Sequence, residues 1–271
     1  MSCPDARLNI PQALALGLLH GPAELLPVSS SAHTTLLPWL AGARYARVDA
    51  AERKSFEVAL HAGTAAALLA LARGGVGSSS LPSDWRRRVT LATIASAPAA
   101  LAGLALRGQI ERRLAGPRAA ALGLLAGSAA MLDADSEPAA GRLLKDVSPR
   151  DALALGLAQA AALAPGVSRS GATLAAARRR GFDRADAATL SFAAGLPVLV
   201  GAGALESWSL VRARRVTVPI VTGALASFAS TLGAARVLRQ PGSALPLAPF
   251  AAYRSVLALV VLQRLRAARA Q

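Results

Sequence analysis

Residues 13–37 read ALALGLLHGPAELLPVSSSAHTTLL, and residues 152–175 read ALALGLAQAAALAPGVSRSGATLA. At an offset of 139, the six residues from Ala13 recur identically from Ala152. His20 then falls on Gln159, and Ser29-Ser30-Ser31 falls on Ser168-Arg169-Ser170. Pro27 and Pro165 correspond after a slip of one residue. Shared alanine and leucine explain the first matches easily; the proline followed by Ser-x-Ser is harder to obtain by chance. Corresponding apolar segments interrupted by Pro and Gly in two halves of a chain point to an inverted repeat with broken helices. Irregular backbone of that kind survives inside a bilayer only where it lines a protein or water cavity. The expected organisation is one integral-membrane domain over 1–271, with halves of about 8–132 and 151–263 joined by a polar loop, 133–150.

The rest of the chain fits that setting. Apolar stretches at 55–72, 89–106, 119–132, 187–205, 216–235 and 255–263 are bounded by charge: Arg73, Arg86-Arg87-Arg88, an acidic loop from Asp133 to Glu137, Asp186 and Glu206, Arg215 and Arg236, Arg254 and Arg264. About six spanning helices follow, since roughly 17–25 apolar residues cross the hydrocarbon core. The fold class is therefore an all-α polytopic membrane protein. A soluble alanine-rich bundle is the alternative, but its helices would need a polar face every 3.6 residues, and these segments have none.

Composition agrees. Hydrophobic residues make up 54% of the 271 and charged residues 17%, with a mean hydropathy of +0.42. Soluble domains hold about 25% charged residues, so both values lean toward the membrane. Disorder is excluded by the hydrophobicity, and a disulfide scaffold by Cys3 being the only cysteine. The net charge of +15 would suggest nucleic acid in a soluble protein, but only 4% of residues are aromatic, which leaves little for base stacking. All but two of the basic residues are arginine, the exceptions being Lys54 and Lys145. Nearly all sit at segment ends, as headgroup anchors and a basic surface for anionic lipid. Arginine lies in almost every loop, so loop charge does not set the orientation. The opening MSCPDAR has no basic n-region and is not a secretory signal.

The two broken segments carry the chemistry. Pro165 to Thr173 offers one guanidinium, three hydroxyls and two glycines, and a helix resuming near Ser170 would aim its positive end at the same spot. Arg169 can fork onto phosphate oxygens. Everything in this loop donates, so it wants an anion. In the first segment, Glu24 is an intramembrane carboxylate and hence a functional candidate. His20 precedes it by four residues, on one face if the segment is helical, and the two could hold a divalent cation. Ser29, Ser30 and Ser31 are candidate nucleophiles, with His33 three beyond Ser30 as a candidate base. Each element has a duller reading as helix–helix hydrogen bonding or interface anchoring. The functional reading rests on a donor loop and a nucleophile loop in duplicated positions.

The stretch Gly21 to His33 and the stretch Pro165 to Thr173 closely resemble the two signature motifs of the undecaprenyl pyrophosphate phosphatases, the bacitracin-resistance membrane phosphatases of bacteria. Further matches at Phe56-Glu57-Val58, Leu190-Ser191-Phe192 with Pro197 and Gly201-Ala202, and Pro249-Phe250 with Tyr253-Arg254 extend the resemblance nearly end to end. It implies two re-entrant helical hairpins beside the six spanning helices, in the bacterial cytoplasmic membrane, with the site facing outward. It also implies hydrolysis of the C55 isoprenyl pyrophosphate to the monophosphate carrier lipid of cell-wall synthesis, assisted by Mg²⁺ or Ca²⁺. On these positions Ser30 would be the nucleophile and His33 its base or proton donor, with His33 itself the alternative nucleophile. Arg169 would hold the pyrophosphate with Ser29, Ser31, Ser168, Ser170, Gly171 and Thr173 around it, and Glu24 with His20 would hold metal. Two residues depart from the family's pattern: His20 stands where Glu or Gln is usual, and Ala32 where Gly is usual. The competing functions are a carrier or flippase of a phosphorylated polyprenyl lipid, which broken inverted repeats also build, and an inactive homologue. The partners expected are the lipid substrate and the bilayer, with no nucleic acid; homo-oligomerisation stays open.

Overall fold

The structure, a computed structural model, describes residues 7–74, 84–136, 140–238 and 245–269. Ten α-helices make up this part. Two short pairs come from the broken segments: α1 (Ile10–Leu25) with α2 (Ser30–Leu40), and α6 (Pro149–Ala161) with α7 (Arg169–Arg179). At 1.5 Å per residue none of the four reaches across a hydrocarbon core of about 30 Å. Within each pair the two helices pack on one another. The longer helices are α3 (Ala50–Arg73), α4 (Trp85–Arg113), α5 (Pro117–Ser136), α8 (Arg184–Arg212), α9 (Val218–Leu238) and α10 (Ala248–Ala267).

Five of the six expected spans are long and apolar enough to cross a membrane: Ala50–Arg73, Trp85–Leu106, Arg184–Arg212, Val218–Val237 and Ala248–Ala267. The sixth, α5, has the length but not the hydropathy, because its last turn carries Asp133 and Asp135. Those two acids were expected in a loop. They are helical, and Asp135 accepts from Arg184 Nε at 2.9 Å and from the Leu247 amide, tying the end of α5 to the starts of α8 and α10. Glu137 lies outside the described residues.

Helix ends follow local chemistry. Asn9 caps α1 by accepting from the Gln12 amide, and Ser148 with Asp151 forms a reciprocal capping box at α6. Asp151 is buried and also binds Arg142 and Arg180, so the start of α6 is tied to the end of α7. Burial alone would raise its carboxyl; hydrogen bonds from Arg142, Ser148 and Arg180 outweigh that and hold it well below the usual carboxylate range.

Helix α3 is the central span, buried over 56% of its apolar stretch, whereas α4 is buried over only 11% and exposes Leu101 and Leu104. Apolar surface of that kind belongs against lipid, so burial of leucine does not drive helix against helix here; close backbone approach does. Gly17 and Gly21 of α1 meet the backbone of α9 at Gly223 and Thr231, Gly63 of α3 meets the backbone of Ala224, and Gly223 receives the Phe56 ring. Between elements the contacts are reciprocal: α1 packs on α9 while α6 packs on α4, and α3 meets α8 while α5 meets α10. Apolar residues form four separate clusters around an interior of serine, threonine, histidine and arginine.

A Cβ at Gly63 would land on the Ala224 carbonyl, whereas Gly233 of α9 faces open space. Gly63→Ala is therefore expected to destabilise the protein by about 1–3 kcal/mol. Gly233→Ala should be neutral or stabilising by up to about 1 kcal/mol. Thermal unfolding in detergent separates the two.

Candidate active site

Both helix pairs break at a serine in a strained conformation. Ser29 and Ser168, the two residues superposed by the 139-residue offset, have φ of +75° and +70° and stand directly before α2 and α7. A non-glycine residue there costs about 1–2 kcal/mol, so the surroundings must hold it. Arg254 of α10 does so. It is fully buried and donates from Nη1 to the Pro27 carbonyl at 2.9 Å. From Nη2 it donates to Gly166 at 3.1 Å, Val167 at 2.9 Å and Leu124 at 3.3 Å. One guanidinium thus joins the first break to the second, and its partners are carbonyls and the Met131 sulfur rather than a carboxylate. The sequence grouped Arg254 with the segment-end anchors; the structure places it at the centre.

Glycines clear the slot for it. A Cβ at Gly127 or Gly171 would run into the Arg254 guanidinium. This corrects the expectation for Gly171, which packs against Arg254 and Met131 rather than facing a ligand. Thr173 is likewise not at the cavity: fully buried, its hydroxyl donates to the Arg169 carbonyl and lies 2.6 Å from the Ser191 hydroxyl, fastening α7 to α8.

The remaining polar residues meet around a cavity of about 360 Å³. Glu24, Ser29, Ser30 and Ser31 line one side and Ser168, Arg169 and Ser170 the other; α3 adds Lys54, Glu57 and His61, and α6 adds Gln159. Ser30 Oγ donates to Glu24 Oε2 at 2.5 Å, while Arg169 Nη2 donates to Glu24 Oε1 at 3.3 Å. The two broken segments therefore share one carboxylate. Ser170 Oγ donates to the Leu26 carbonyl at 2.9 Å, closing one loop on the other. Arg169 Nε is buried without a hydrogen-bond partner, and Gly195 provides the room the guanidinium occupies, since a Cβ there would overlap it. Helix α8 adds Glu206, and the rest of the lining is apolar, including Ala99, Val198, Leu199 and Ala202 from α4 and α8. A site with a fixed cation, several hydroxyls and an apolar wall suits an anionic head on a hydrocarbon chain.

His33 departs from its expected role. Its Nδ1–H donates to the Ser29 carbonyl at 2.8 Å, so in the neutral ring Nε2 accepts, and it takes the Tyr253 hydroxyl at 2.7 Å. Neither nitrogen faces Ser30. The hydrogen-bond partner of Ser30 is Glu24, brought there by α1, which sequence spacing from Ser30 did not reveal.

The residues present also fit a divalent cation. His20, Glu24 and His61 each offer a ligand atom, and these atoms lie within 4.8 Å of one another. His20 is buried, its Nδ1 lies 3.1 Å from Thr64 Oγ1 and 3.2 Å from Ser227 Oγ, and its Nε2 has no partner. His61 Nδ1 is 3.9 Å from Glu24 Oε2. His61 went unnoticed in the sequence, although an ionisable side chain inside an apolar stretch, four residues after Glu57, was a legible signal.

The chain is similar to proteins of one family along most of its length. Residues 13–260 match the family model described as bacitracin resistance protein BacA. The chain is 33% identical to the undecaprenyl-diphosphatase of Gemmatimonas aurantiaca, with 94% of this chain and 97% of the other covered. It is 36% identical to that of Thermomicrobium roseum over 94% and 98%, and 36% identical to that of Geobacter sulfurreducens over 86% and 90%.

Arg254→Met removes the shared donor and strands carbonyls in both breaks. At about 1–3 kcal/mol for each buried group left unpaired, it should lower thermal stability in detergent well beyond what a surface substitution does. Arg254→Lys, with one nitrogen in place of a fork, should recover only part. Equal unfolding temperatures for wild type and Arg254→Met would refute the clamp.

Proposed function

The chain belongs to the bacitracin resistance protein BacA family, and on that premise we propose that it is an undecaprenyl-diphosphate phosphatase of the bacterial membrane. It removes the terminal phosphate of the C55 polyprenyl diphosphate to leave the monophosphate carrier lipid used in cell-wall synthesis. The observation that carries this reading is Ser30 Oγ hydrogen-bonded to Glu24 Oε2 at 2.5 Å, with Arg169 on the other oxygen at 3.3 Å, inside one cavity. A hydroxyl paired with a carboxylate is an activated nucleophile, and the adjacent guanidinium is a phosphate fork.

In this mechanism the pyrophosphate enters against Arg169 and the hydroxyls of Ser29, Ser31, Ser168 and Ser170, with its isoprenyl chain along the apolar wall. Ser30 Oγ forms a bond to the terminal phosphorus and passes its proton to Glu24, while the bond to the bridging oxygen breaks and the polyprenyl monophosphate departs. Glu24 passes that proton to the departing monophosphate; water then attacks the phosphoserine and gives a proton to the freed carboxylate, the bond from phosphorus to Ser30 Oγ breaks as Glu24 returns the proton to that oxygen, and inorganic phosphate leaves. Phosphoryl transfer asks mainly for positioning and charge stabilisation, which Arg169 supplies. His20, Glu24 and His61 are the residues that would hold a divalent cation; bound there, it would supply further positive charge to the pyrophosphate. His33 acts as a positioning residue between the Ser29 turn and Tyr253.

We also infer that the halves 8–132 and 151–263 are inverted repeats. The matched left-handed serines and the reciprocal packing of α1 on α9 and α6 on α4 support it. By family resemblance the cavity faces outward. A carrier reading is not favoured, because the relatives are named as diphosphatases.

Arg169→Ala and Glu24→Ala should each lower phosphate release from a polyprenyl diphosphate by on the order of 10²–10³-fold or more. Gly195→Ala, which displaces Arg169, should fall in the same direction. A chain that binds the lipid but frees no phosphate in detergent would be a carrier. Enzyme denatured during turnover should carry an acid-stable phosphoserine at Ser30; an acid-labile, alkali-stable phosphohistidine at His33, seen in an alkaline quench, would overturn the assignment.

A further inference from the structure

We propose that His20, Glu24 and His61 form a two-imidazole, one-carboxylate centre that takes a Zn²⁺-type transition ion in preference to Mg²⁺ or Ca²⁺. The inference rests on the phosphatase reading only for what the ion does, not for whether it binds.

The donor set decides the class of ion. Mg²⁺ and Ca²⁺ take six or more oxygen ligands, and this cluster offers one carboxylate and two ring nitrogens. Imidazole suits Zn²⁺ and its neighbours, and two His with one Glu plus an open position is a known zinc arrangement. Family resemblance implies an acid or amide at position 20, where this chain has His20, so the preference belongs to this sequence and its like.

Hydrogen bonding sets the imidazole for ligation. Ser227 Oγ spends its proton on the Leu60 carbonyl at 2.9 Å, so toward its other neighbours it accepts. Thr64 Oγ1 lies 2.8 Å from that oxygen and can donate to it. The consistent chain runs from His20 Nδ1–H to Thr64 and Ser227 and on to Leu60. The proton then sits on Nδ1, and Nε2, buried and without a partner, keeps a free lone pair. A ligating histidine held by a hydrogen bond at its other nitrogen is the usual outer support of a metal site. Glu24, with about four lone-pair directions, can serve Ser30, Arg169 and an ion together. His61 opens onto the cavity, leaving a coordination position on the substrate side. A tetrahedral ion with bonds of about 2.0–2.1 Å holds its donors roughly 3.4 Å apart, so the ligand atoms must close from the 4.8 Å span seen now. His61 Nδ1 already lies 3.9 Å from Glu24 Oε2, and its side chain, 34% exposed, has room to turn toward a shared ion.

The test uses the full chain in detergent, stripped with chelator and titrated with Co²⁺ as an optical probe. One Co²⁺ per chain is expected, with the intense visible bands of low-coordinate cobalt. Zn²⁺ should abolish the bands at one equivalent, and a 100-fold excess of Mg²⁺ or Ca²⁺ should not. His61→Ala and the milder His20→Gln and His61→Gln should each weaken Zn²⁺ binding by on the order of 10–100-fold. Absence of stoichiometric Co²⁺ binding, displacement by Mg²⁺ at equal concentration, or binding unchanged in all three variants would overturn the proposal. Phosphate release is read in a separate assay: its absence in a chain that binds Zn²⁺ as expected refutes the phosphatase reading and leaves the metal centre standing.

Discussion

A buried guanidinium with carbonyl partners holds this molecule's interior in place. Arg254 reaches from α10 to Pro27 in the first break and to Gly166 and Val167 in the second. Helices that stop inside a low-dielectric region leave carbonyls unpaired at their ends, and each such group is expensive. Five donors in a rigid fork can serve several of them together, which an ammonium cannot. The same bonds keep Ser29 and Ser168 in their left-handed turns and so aim α2 and α7 at a common point. Gly127 and Gly171 are small because the fork passes beside them.

With the two breaks fixed together, the catalytic chemistry becomes a matter of sharing. One carboxylate, Glu24, accepts from Ser30 of its own hairpin and from Arg169 of the other. In water such pairs are worth little; in a buried site, charges and hydrogen bonds act at lower dielectric and are correspondingly stronger. The arrangement sets a cation beside an intramembrane acid and gives a hydroxyl an acceptor for its proton. Around it, Gly195 leaves room for the guanidinium, and Thr173 with Ser191 secures the helix that carries it. The hydroxyl-rich interior is therefore mostly scaffold, with a few atoms left to face the cavity.

The long helices were legible because each apolar stretch is bracketed by charge, and all six of the expected stretches fall on helices, the fifth from Val218 onward. Their ends were less so. Charged residues continue the helix beyond the apolar part, as at Asp133 and Asp135 of α5, because a helical backbone satisfies its own hydrogen bonds whatever the side chain. The broken segments were legible from Pro, Gly and the repeated Ser-x-Ser, and so were Glu24, Ser30 and Arg169 as the residues with chemistry to offer.

What sequence spacing misjudged were contacts made across the fold. His33 is three residues from Ser30 yet binds Tyr253, 220 positions away, because the side chain on α2 points toward α10 rather than along its own helix. Gly171 and Thr173 lie within the motif but face Arg254 and Ser191. His61 joins His20 and Glu24 only because α1 and α3 both pack closely on α9 through glycine contacts. The sequence alone determined the membrane class, the two breaks and the residue types that meet an anion, since these follow from local hydropathy, backbone preference and side-chain chemistry. Only the tertiary structure decided which carboxylate accepts from Ser30, which arginine faces the cavity and which binds backbone, and that His61 stands beside His20 and Glu24. Those depend on side chains from helices far apart in the chain arriving within hydrogen-bond reach.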